Sequence, residues 1–299
     1  MKEYDDATLH KVQQLELMIL RDVLSICKKY NLKLFVVAGS ALGAVRHQGF
    51  IPWDDDIDVS IMRDDYDVLV KHLKDDMSDK YIVMNAGTDP NYSLMTTRIM
   101  LKDTVFREEA LKSIHCFFGI FLDVYVLDNL PDNEKQFKKL CRQAFIISKL
   151  QILRSIAFPV LPYKGMKAKL TYVITGFAHV ILVIFCVSKK KLYCKGLNIV
   201  SQYQDQVKSK RIGFLFDTFP EHNIYEREDV FPLRTVKFNG IDIFMPRNEE
   251  KSLQTVYGDF MQLPPVEKRK NHYPYELDFG KYRDIPVEDI EAGKYDKKI

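Results

Sequence analysis

The sequence predicts a domain of mixed helices and strands, of the α/β or α+β class, interrupted by a mostly helical segment. Two observations predict this arrangement. Up to about residue 131, stretches with helical periodicity alternate with short apolar runs typical of buried strands. Residues 132–210 are instead mostly helical in pattern, basic, and in places very apolar. We therefore divide the chain into residues 1–131, 132–210 and 211–299.

The composition is that of a folded protein without a strong overall charge. Hydrophobic residues make up 46% of the chain and aromatic residues 12%, which excludes a disordered protein. The net charge of +3 predicts no binding to nucleic acid. The five cysteines form no CxxC pair, and the first ten residues lack the apolar region of a signal peptide. We therefore expect a cytoplasmic protein with reduced thiols.

The elements of the first region follow from periodicity and from turn signals. Apolar residues at helical spacing predict a long amphipathic first helix, with Thr8 as its cap. The predicted elements are a helix over 8–30, a strand over 34–37, a short helix over 40–47, a loop over 48–55, a strand over 56–61, a helix over 63–77, and strands near 81–85, 94–100, 104–107 and 119–127.

The last region is predicted to return to strands. Residues 230–246 have the pattern of a hairpin around Asn239-Gly240, a pair typical of tight turns between antiparallel strands. Residues 249–265 predict a helix that ends near Gly258, with prolines beyond it. We expect this region to complete the domain that residues 1–131 begin.

Aspartates are concentrated where the loop after the short helix meets a strand, in GFIPWDDDIDVSI at 49–61. Asp56 and Asp58 are two apart on the predicted strand, so both side chains are expected on one face. Asp123 is a lone acid within the apolar strand GIFLDVYVL. If the two strands are neighbours, the three carboxylates meet, and a hard cation such as Mg²⁺ or Mn²⁺ would offset their repulsion.

The acidic residues are also compatible with roles that involve no such cation. Asp54 and Asp55 could be solvated loop residues, and Asp123 could be a structural residue in a salt bridge. A calcium-binding loop is disfavoured because Val59 stands where that loop requires a glycine.

A phosphate site is predicted at the start of the short helix. Gly39 lets the backbone approach a ligand closely, and Ser40 with the first N–H groups of the helix can hold a phosphate.

These motifs resemble the LicD family. GSALGAVRHQGFIPWDDDID at 39–58 carries the resemblance, together with GIFLDVYVLD at 119–128, VFPLRTVKFNG at 230–240 and YGDFMQLPP at 257–265. It runs from about residue 30 to 275 and is weakest in 132–210. It implies an α+β, nucleotidyltransferase-type mixed sheet flanked by helices, in which Gly39, Ser40, Asp56, Asp58 and Asp123 form the catalytic pattern.

The resemblance also implies a reaction. A phosphorylated alcohol, phosphocholine foremost, would pass from a CDP-linked donor to a hydroxyl of a cell-surface glycan, such as a teichoic acid or lipopolysaccharide precursor. Asp56, Asp58 and Asp123 would hold the metal, and Asp123 would accept the proton of the attacking hydroxyl. Alternatives are transfer of another polyol phosphate such as ribitol phosphate, a nucleotidyltransferase that makes the donor, and a membrane-docked binding protein without catalysis.

Further residues are candidates for contact with the substrate. Arg46 or His47 is expected to touch phosphate, or else to anchor the loop. Trp53 would stack on the cytosine or enclose a quaternary ammonium, with packing beneath the acidic loop as the alternative. The remaining candidates are Arg98, Lys102, Arg269 and His272.

An apolar segment, LTYVITGFAHVILVIFCV at 170–187, is flanked by lysines on both sides. It could lie in a membrane interface, form a buried core helix or insert into the bilayer. Interfacial contact through about 145–191, at the inner face of the cytoplasmic membrane, suits an acceptor carried on a lipid. A single crossing would separate the aspartates from 230–275.

Overall fold

The structure, a computed structural model, describes residues 4–161, 163–206, 208–217 and 220–294. Its α-helices are α1 (Asp6–Tyr30), α2 (Ala38–His47), α3 (Arg63–Asp76), α4 (Glu134–Leu153), α5 (Met166–Ile184), α6 (Lys189–Val200), α7 (Arg227–Val230), α8 (Glu249–Tyr257) and α9 (Val287–Glu291). Its strands are β1 (Phe35–Val36), β2 (Asp58–Met62), β3 (Tyr81–Met84), β4 (Thr97–Leu101), β5 (Val105–Glu108), β6 (Phe121–Leu130), β7 (Arg211–Gly213), β8 (Ile224–Glu226), β9 (Arg234–Phe238), β10 (Ile241–Met245) and β11 (Pro274–Asp278).

One mixed sheet forms the centre of the molecule. Its strands lie in the order β3-β4-β6-β2-β1-β10-β9, with β7 paired to β6 and β8 paired to β7. The pairs β2–β6 and β1–β10 are parallel, and the others are antiparallel. Strands from both ends of the chain therefore share one sheet, and the predicted α+β class is confirmed.

The first helix covers the sheet with an apolar stripe. Val12, Leu15, Ile19 and Val23 have no exposed surface, as their helical spacing predicts. The helix begins earlier than predicted, because Asp5 and not Thr8 is its cap: the Asp5 carboxylate accepts a hydrogen bond from the Thr8 N–H at 2.8 Å.

The strand that carries the acidic motif is shorter than predicted. It begins at Asp58, so the prediction that Asp56 lies on the strand is wrong. Asp56 belongs to the preceding loop, and the path of that loop, not the two-residue period of a strand, sets its direction.

The predicted hairpin and the last long helix are confirmed. β9 and β10 pair in antiparallel register around Asn239 and Gly240, which have φ angles of +46° and +77°. Both values lie in the left-handed region that such a turn requires. α8 ends at Gly258, where φ is +66°.

The segment between β6 and β7 is helical, as predicted, and contains α4, α5 and α6. Among the described residues, α5 alone is long and apolar enough to cross a membrane, with a mean hydropathy of 1.4 over 18 residues. Only 11% of that window is buried. The interpretation of this segment as a buried core helix is therefore wrong.

Candidate active site

The three predicted aspartates converge where two central strands of the sheet, β2 and β6, begin. Asp58 opens β2 and lies directly beside Asp123 on the parallel neighbour β6. Asp56, from the loop before β2, completes the group, and one oxygen from each carboxylate lies within 4.8 Å of the others. The pairing of two strands distant in the sequence thus brings together the acids that the sequence singled out.

Burial makes this cluster costly without a cation. It raises the pKa of Asp58 well above the usual value, and the neighbouring carboxylates of Asp56 and Asp123 raise it further. Burial likewise raises the pKa of Asp56 to about 6. Clustered carboxylate oxygens are the ligands that Mg²⁺ and Mn²⁺ prefer, so these three residues fit a divalent cation.

A second acidic group adjoins the first through Asp56. It consists of Asp54, Asp55, Asp56 and His272, with ligand atoms again within 4.8 Å. His272 Nδ1 lies 3.3 Å from Asp56 Oδ2, and the Asp56 carboxylate is the largest cause that raises the pKa of His272, to about 11. A protonated His272 therefore offsets part of the negative charge of this group.

Asp55 is a buried structural acid, not the solvated loop residue that was one interpretation. It has no exposed surface. Its carboxylate accepts hydrogen bonds from the Tyr4 hydroxyl and from the His272 N–H, both at 2.7 Å. These bonds join the N-terminal residues and the segment before β11 to the acidic loop.

Arg98 holds Asp123 in a buried ion pair. The guanidinium is 5% exposed and donates to both oxygens of Asp123, at 3.0 and 3.3 Å. It also donates to Glu108 at 3.0 Å and lies 3.8 Å above the ring centroid of Phe121. The salt bridge considered for Asp123 is thus present, whereas the structure does not bring Arg98 into position to bind phosphate.

Ser40 lies beneath the site. It is 3% exposed, and its hydroxyl accepts a hydrogen bond from the Asp58 N–H at 2.8 Å. The contact fixes the start of β2 against α2. The sequence suggested that the Ser40 hydroxyl contacts phosphate, whereas in the structure it positions Asp58.

The N-terminus of α2 opens into the site and supports the predicted phosphate subsite. Ala38 and Gly39 line the same cavity as Asp56 and Asp58. Val37, the residue before the helix, supplies no side-chain cap to its first N–H groups. A Cβ at Gly39 would lie 3.2 Å from Asp54 Oδ2, so glycine suits this close approach. Free N–H groups at the positive end of a helix are suited to bind an anion.

A cavity of about 510 Å³ lies in front of the aspartates. Trp53 lines this cavity, and it also packs against a small apolar cluster below the acidic loop. The ring is therefore placed both for contact with a ligand and for packing, the two roles that the sequence suggested. The Arg269 guanidinium covers the Trp53 ring at 4.2 Å from the centroid. Arg46 reaches the cavity and donates to the Phe260 carbonyl at 2.7 Å.

Two further predicted residues, Lys102 and His47, also lie outside the lining of this cavity. Lys102 lies beyond the far end of β4 and donates to the Ser78 carbonyl at 2.6 Å. His47 is not among the cavity-lining residues, and its Nε2 accepts a hydrogen bond from Arg46 Nε at 2.9 Å. His47 therefore helps to orient Arg46.

Several residues near the site were missed by sequence reasoning. Glu16 of α1 is fully buried, and neither carboxylate oxygen has a partner among the described residues. Burial raises its pKa well above the usual value, with further contributions from the nearby aspartates. The sequence did offer a signal for Glu16, because it is a charged residue within the apolar stripe of the first helix. The missed cavity-lining residues include Tyr257, Asp259, Phe260, Gln262, Lys268 and Lys270.

The hydrogen bond from Asp58 to Ser40 gives a first testable prediction. Ser40→Ala leaves the buried Asp58 N–H without its acceptor, and we expect the free energy of unfolding to fall by about 1–3 kcal/mol. Urea unfolding measures this. Ser60→Ala is the matched control, because the buried Ser60 hydroxyl of β2 has no partner among the described residues. Equal stability of both variants would contradict the role given to Ser40.

Comparison with known proteins finds a family match and similar proteins. Residues 31–139 match the family model described as LicD/FKTN/FKRP, nucleotidyltransferase domain. The chain is 27% identical over 276 residues to the lipopolysaccharide cholinephosphotransferase LicD of Haemophilus influenzae. The aligned part covers 90% of this chain and 97% of that protein. Uncharacterized proteins of Rickettsia prowazekii and Rickettsia typhi are each 47% identical over 47 residues, 16% of this chain and 18% and 15% of theirs. Residues 31–139 thus match the nucleotidyltransferase domain of the LicD family, and the wider chain is similar to a protein of that name.

Proposed function

We propose that this protein is a metal-dependent transferase that moves phosphocholine from CDP-choline to a hydroxyl of a cell-surface glycan carried on a lipid. The observation that carries the proposal is the acidic cluster at a cavity that the uncapped N-terminus of α2 also lines, in a chain similar over 90% of its length to a lipopolysaccharide cholinephosphotransferase. Family and similarity support a transferase, whereas the donor, the metal and the acceptor are parts of the proposal.

The transfer is a displacement at the phosphorus that bears choline. An oxygen of the acceptor hydroxyl forms a bond to this phosphorus, while the bond from the phosphorus to the bridging oxygen breaks. CMP leaves with that electron pair. A Mg²⁺ ion held by Asp56, Asp58 and Asp123 would supply charge neutralisation at the diphosphate.

The proton of the acceptor hydroxyl needs a carboxylate. Asp123, the acceptor that the sequence suggested, already accepts from Arg98 with both oxygens and does not line the cavity. Asp56 lines the cavity, on the side where the acceptor hydroxyl would enter. We therefore assign the proton to the Asp56 carboxylate.

The cavity walls suit the two ends of the donor. Trp53, Tyr257 and Phe260 supply aromatic surface, and Asp259 supplies a negative charge beside it. Aromatic rings bind quaternary ammonium groups, which supports choline as the alcohol. The N–H groups of α2, with Arg46 and Arg269, supply the positive charge that a diphosphate requires.

A panel of donors tests the proposal. Purified protein, Mg²⁺ and a lipid-linked glycan are incubated with the CDP derivative of choline, ribitol, glycerol or ethanolamine, and release of CMP is followed. We expect release from CDP-choline, loss with EDTA, and unchanged release by Lys102→Gln, which alters a lysine away from the cavity. Release from another donor alone would replace choline in the proposal. CMP release from none of them, with formation of a CDP-alcohol from CTP instead, would overturn it.

A further inference from the structure

Helix α5 has its apolar side outward. Most of its exposed large apolar side chains form one stripe along the helix, which includes Leu170, Val173, Ile174, Phe177, Val180, Ile181 and Ile184. Val173 is 69% exposed and Phe177 is 68% exposed. Burial of large apolar side chains is the main force that stabilises a fold, so a stripe of this size turned to solvent indicates that another surface covers it.

The sides of α5 away from the stripe carry polar groups beside the two buried apolar residues, Ala168 and Leu182. His179 Nδ1 is 2.7 Å from the Leu153 carbonyl at the end of α4, within hydrogen-bond distance. The hydroxyls of Tyr163 and Thr171 lie 2.9 Å apart. A helix on the surface of a protein in water would instead turn its polar side outward.

Helix α4 also exposes apolar side chains near its end and buries polar ones there. Ser148 and Gln151 are buried, and the Ser148 hydroxyl donates to the Phe216 carbonyl at 2.7 Å. Phe145 and Ile146, in contrast, are 41% and 45% exposed. Two successive helices therefore turn apolar side chains away from the molecule.

The charged residues of this segment are all basic. Residues 135–204 contain thirteen Lys and Arg residues and no Asp or Glu. Because the whole chain carries +3, the remainder carries −10. Exposed lysines stand at both ends of α5: Lys164, Lys167 and Lys169 before the stripe, and Lys190 and Lys191 after it. An apolar stripe bordered by cations is complementary to a bilayer with anionic headgroups.

We propose that the outward stripe of α5 lies in the interface of an anionic lipid bilayer, with the flanking lysines at its headgroups. The helix does not cross the bilayer. β6 precedes the helical segment and β7 follows it, and the two strands pair directly in one sheet. A single crossing would put these strands on opposite sides of the membrane.

A second copy of the chain is a poorer partner for the stripe. Pairing of two such stripes would bring their flanking lysines together, and residues 135–204 contain no acid to offset them. Anionic lipid headgroups offset those charges, so the lipid surface is favoured.

The same segment reaches the edge of the sheet that bears the active site. Gly196 of α6 packs against Met95 and against Ile147 of α4. Met95 comes two residues before β4, whose Arg98 lies beside Asp123 in the register of the sheet. Docking by α5 would therefore hold the candidate active site close to the membrane surface, where the lipid-linked acceptor of the proposed function would lie.

Vesicle flotation of the full chain tests this proposal without use of the donor reaction. We expect binding to vesicles that contain phosphatidylglycerol, weaker binding to pure phosphatidylcholine, and a decrease with salt. The triple variant Val173→Ser, Ile174→Ser, Phe177→Ser should lower partition at least about tenfold, because three large apolar side chains no longer enter the interface.

Matched controls come from the exposed surface of α3. Val68→Ser removes an exposed apolar side chain there, and Lys71→Gln with Lys74→Gln removes two exposed lysines. These should leave partition unchanged, whereas Lys167→Gln with Lys169→Gln should weaken it. Absence of wild-type flotation, or equal flotation of the triple variant, would overturn the proposal. So would self-association in lipid-free buffer that the triple variant abolishes.

Discussion

Asp58→Asn is expected to lower CMP release from CDP-choline by about a thousandfold or more, because one of three candidate metal ligands loses its charge. Asparagine keeps the shape of the side chain and its place at the start of β2. The backbone bond from residue 58 to Ser40 does not involve the side chain and should persist. The loss would then report on the carboxylate itself.

The same substitution should stabilise the protein in EDTA. Burial, and then the carboxylates of Asp56 and Asp123, raise the pKa of Asp58. A raised pKa means that ionisation opposes folding, so the stability of the wild-type protein falls as the pH rises from the unfolded pKa of about 4 toward the folded pKa. Asparagine does not ionise, so the advantage of the variant should grow across that pH range.

Urea unfolding in EDTA at several pH values, and thermal unfolding with added Mg²⁺, measure these effects. Mg²⁺ should stabilise the wild-type protein more than Asp58→Asn, because a ligand that binds only the folded state stabilises it. Asp75→Asn, an exposed change on α3, is the control and should alter neither quantity. A variant with full turnover, or an equal response to Mg²⁺, would contradict the assignment of Asp58 to the metal site.

The sequence predicted the acidic cluster because its signal is local and chemical. Asp123 is a charged residue within an apolar strand, and Asp58 opens another, so burial of both required a shared explanation. The class of fold followed from alternating helical and strand periods. Domain boundaries at 131 and 210 remain predictions.

Roles that depend on pairing between distant segments could not be predicted. The partner of Arg98 is decided by the register of β4 against β6, which places it beside Asp123. Ser40 bonds the Asp58 N–H because α2 packs on β2, a contact that the Gly-Ser motif does not reveal. In α5 the sequence showed an apolar segment, but only the packing shows which side is outward.

Arg98→Met is expected to reduce the free energy of unfolding by about 3–5 kcal/mol at pH 7, because it leaves two buried carboxylates without their cation. Asp123 and Glu108 both pair with this guanidinium, and methionine replaces the length of the side chain but not its charge. Burial opposes ionisation of Glu108, yet Arg98 holds its pKa below the usual value. The stabilisation that Arg98 gives through Glu108 is present above the pKa of Glu108 in the unfolded chain. It is lost as the pH falls through the pKa of Glu108 in the folded protein. The deficit of the variant should therefore shrink below about pH 4.

A double variant separates the charge from the packing. Arg98 also covers the Phe121 ring, and methionine keeps part of that contact. If unpaired charge causes the loss, Glu108→Gln should restore part of the stability in the Arg98→Met background, although it is destabilising alone. Arg234→Met, which removes an ion pair at the surface with Glu250, should cost less than about 1 kcal/mol. A loss in Arg98→Met that Glu108→Gln leaves unchanged would assign the contribution of Arg98 to packing, and the ion pairs would then carry little of the stability of this edge of the sheet.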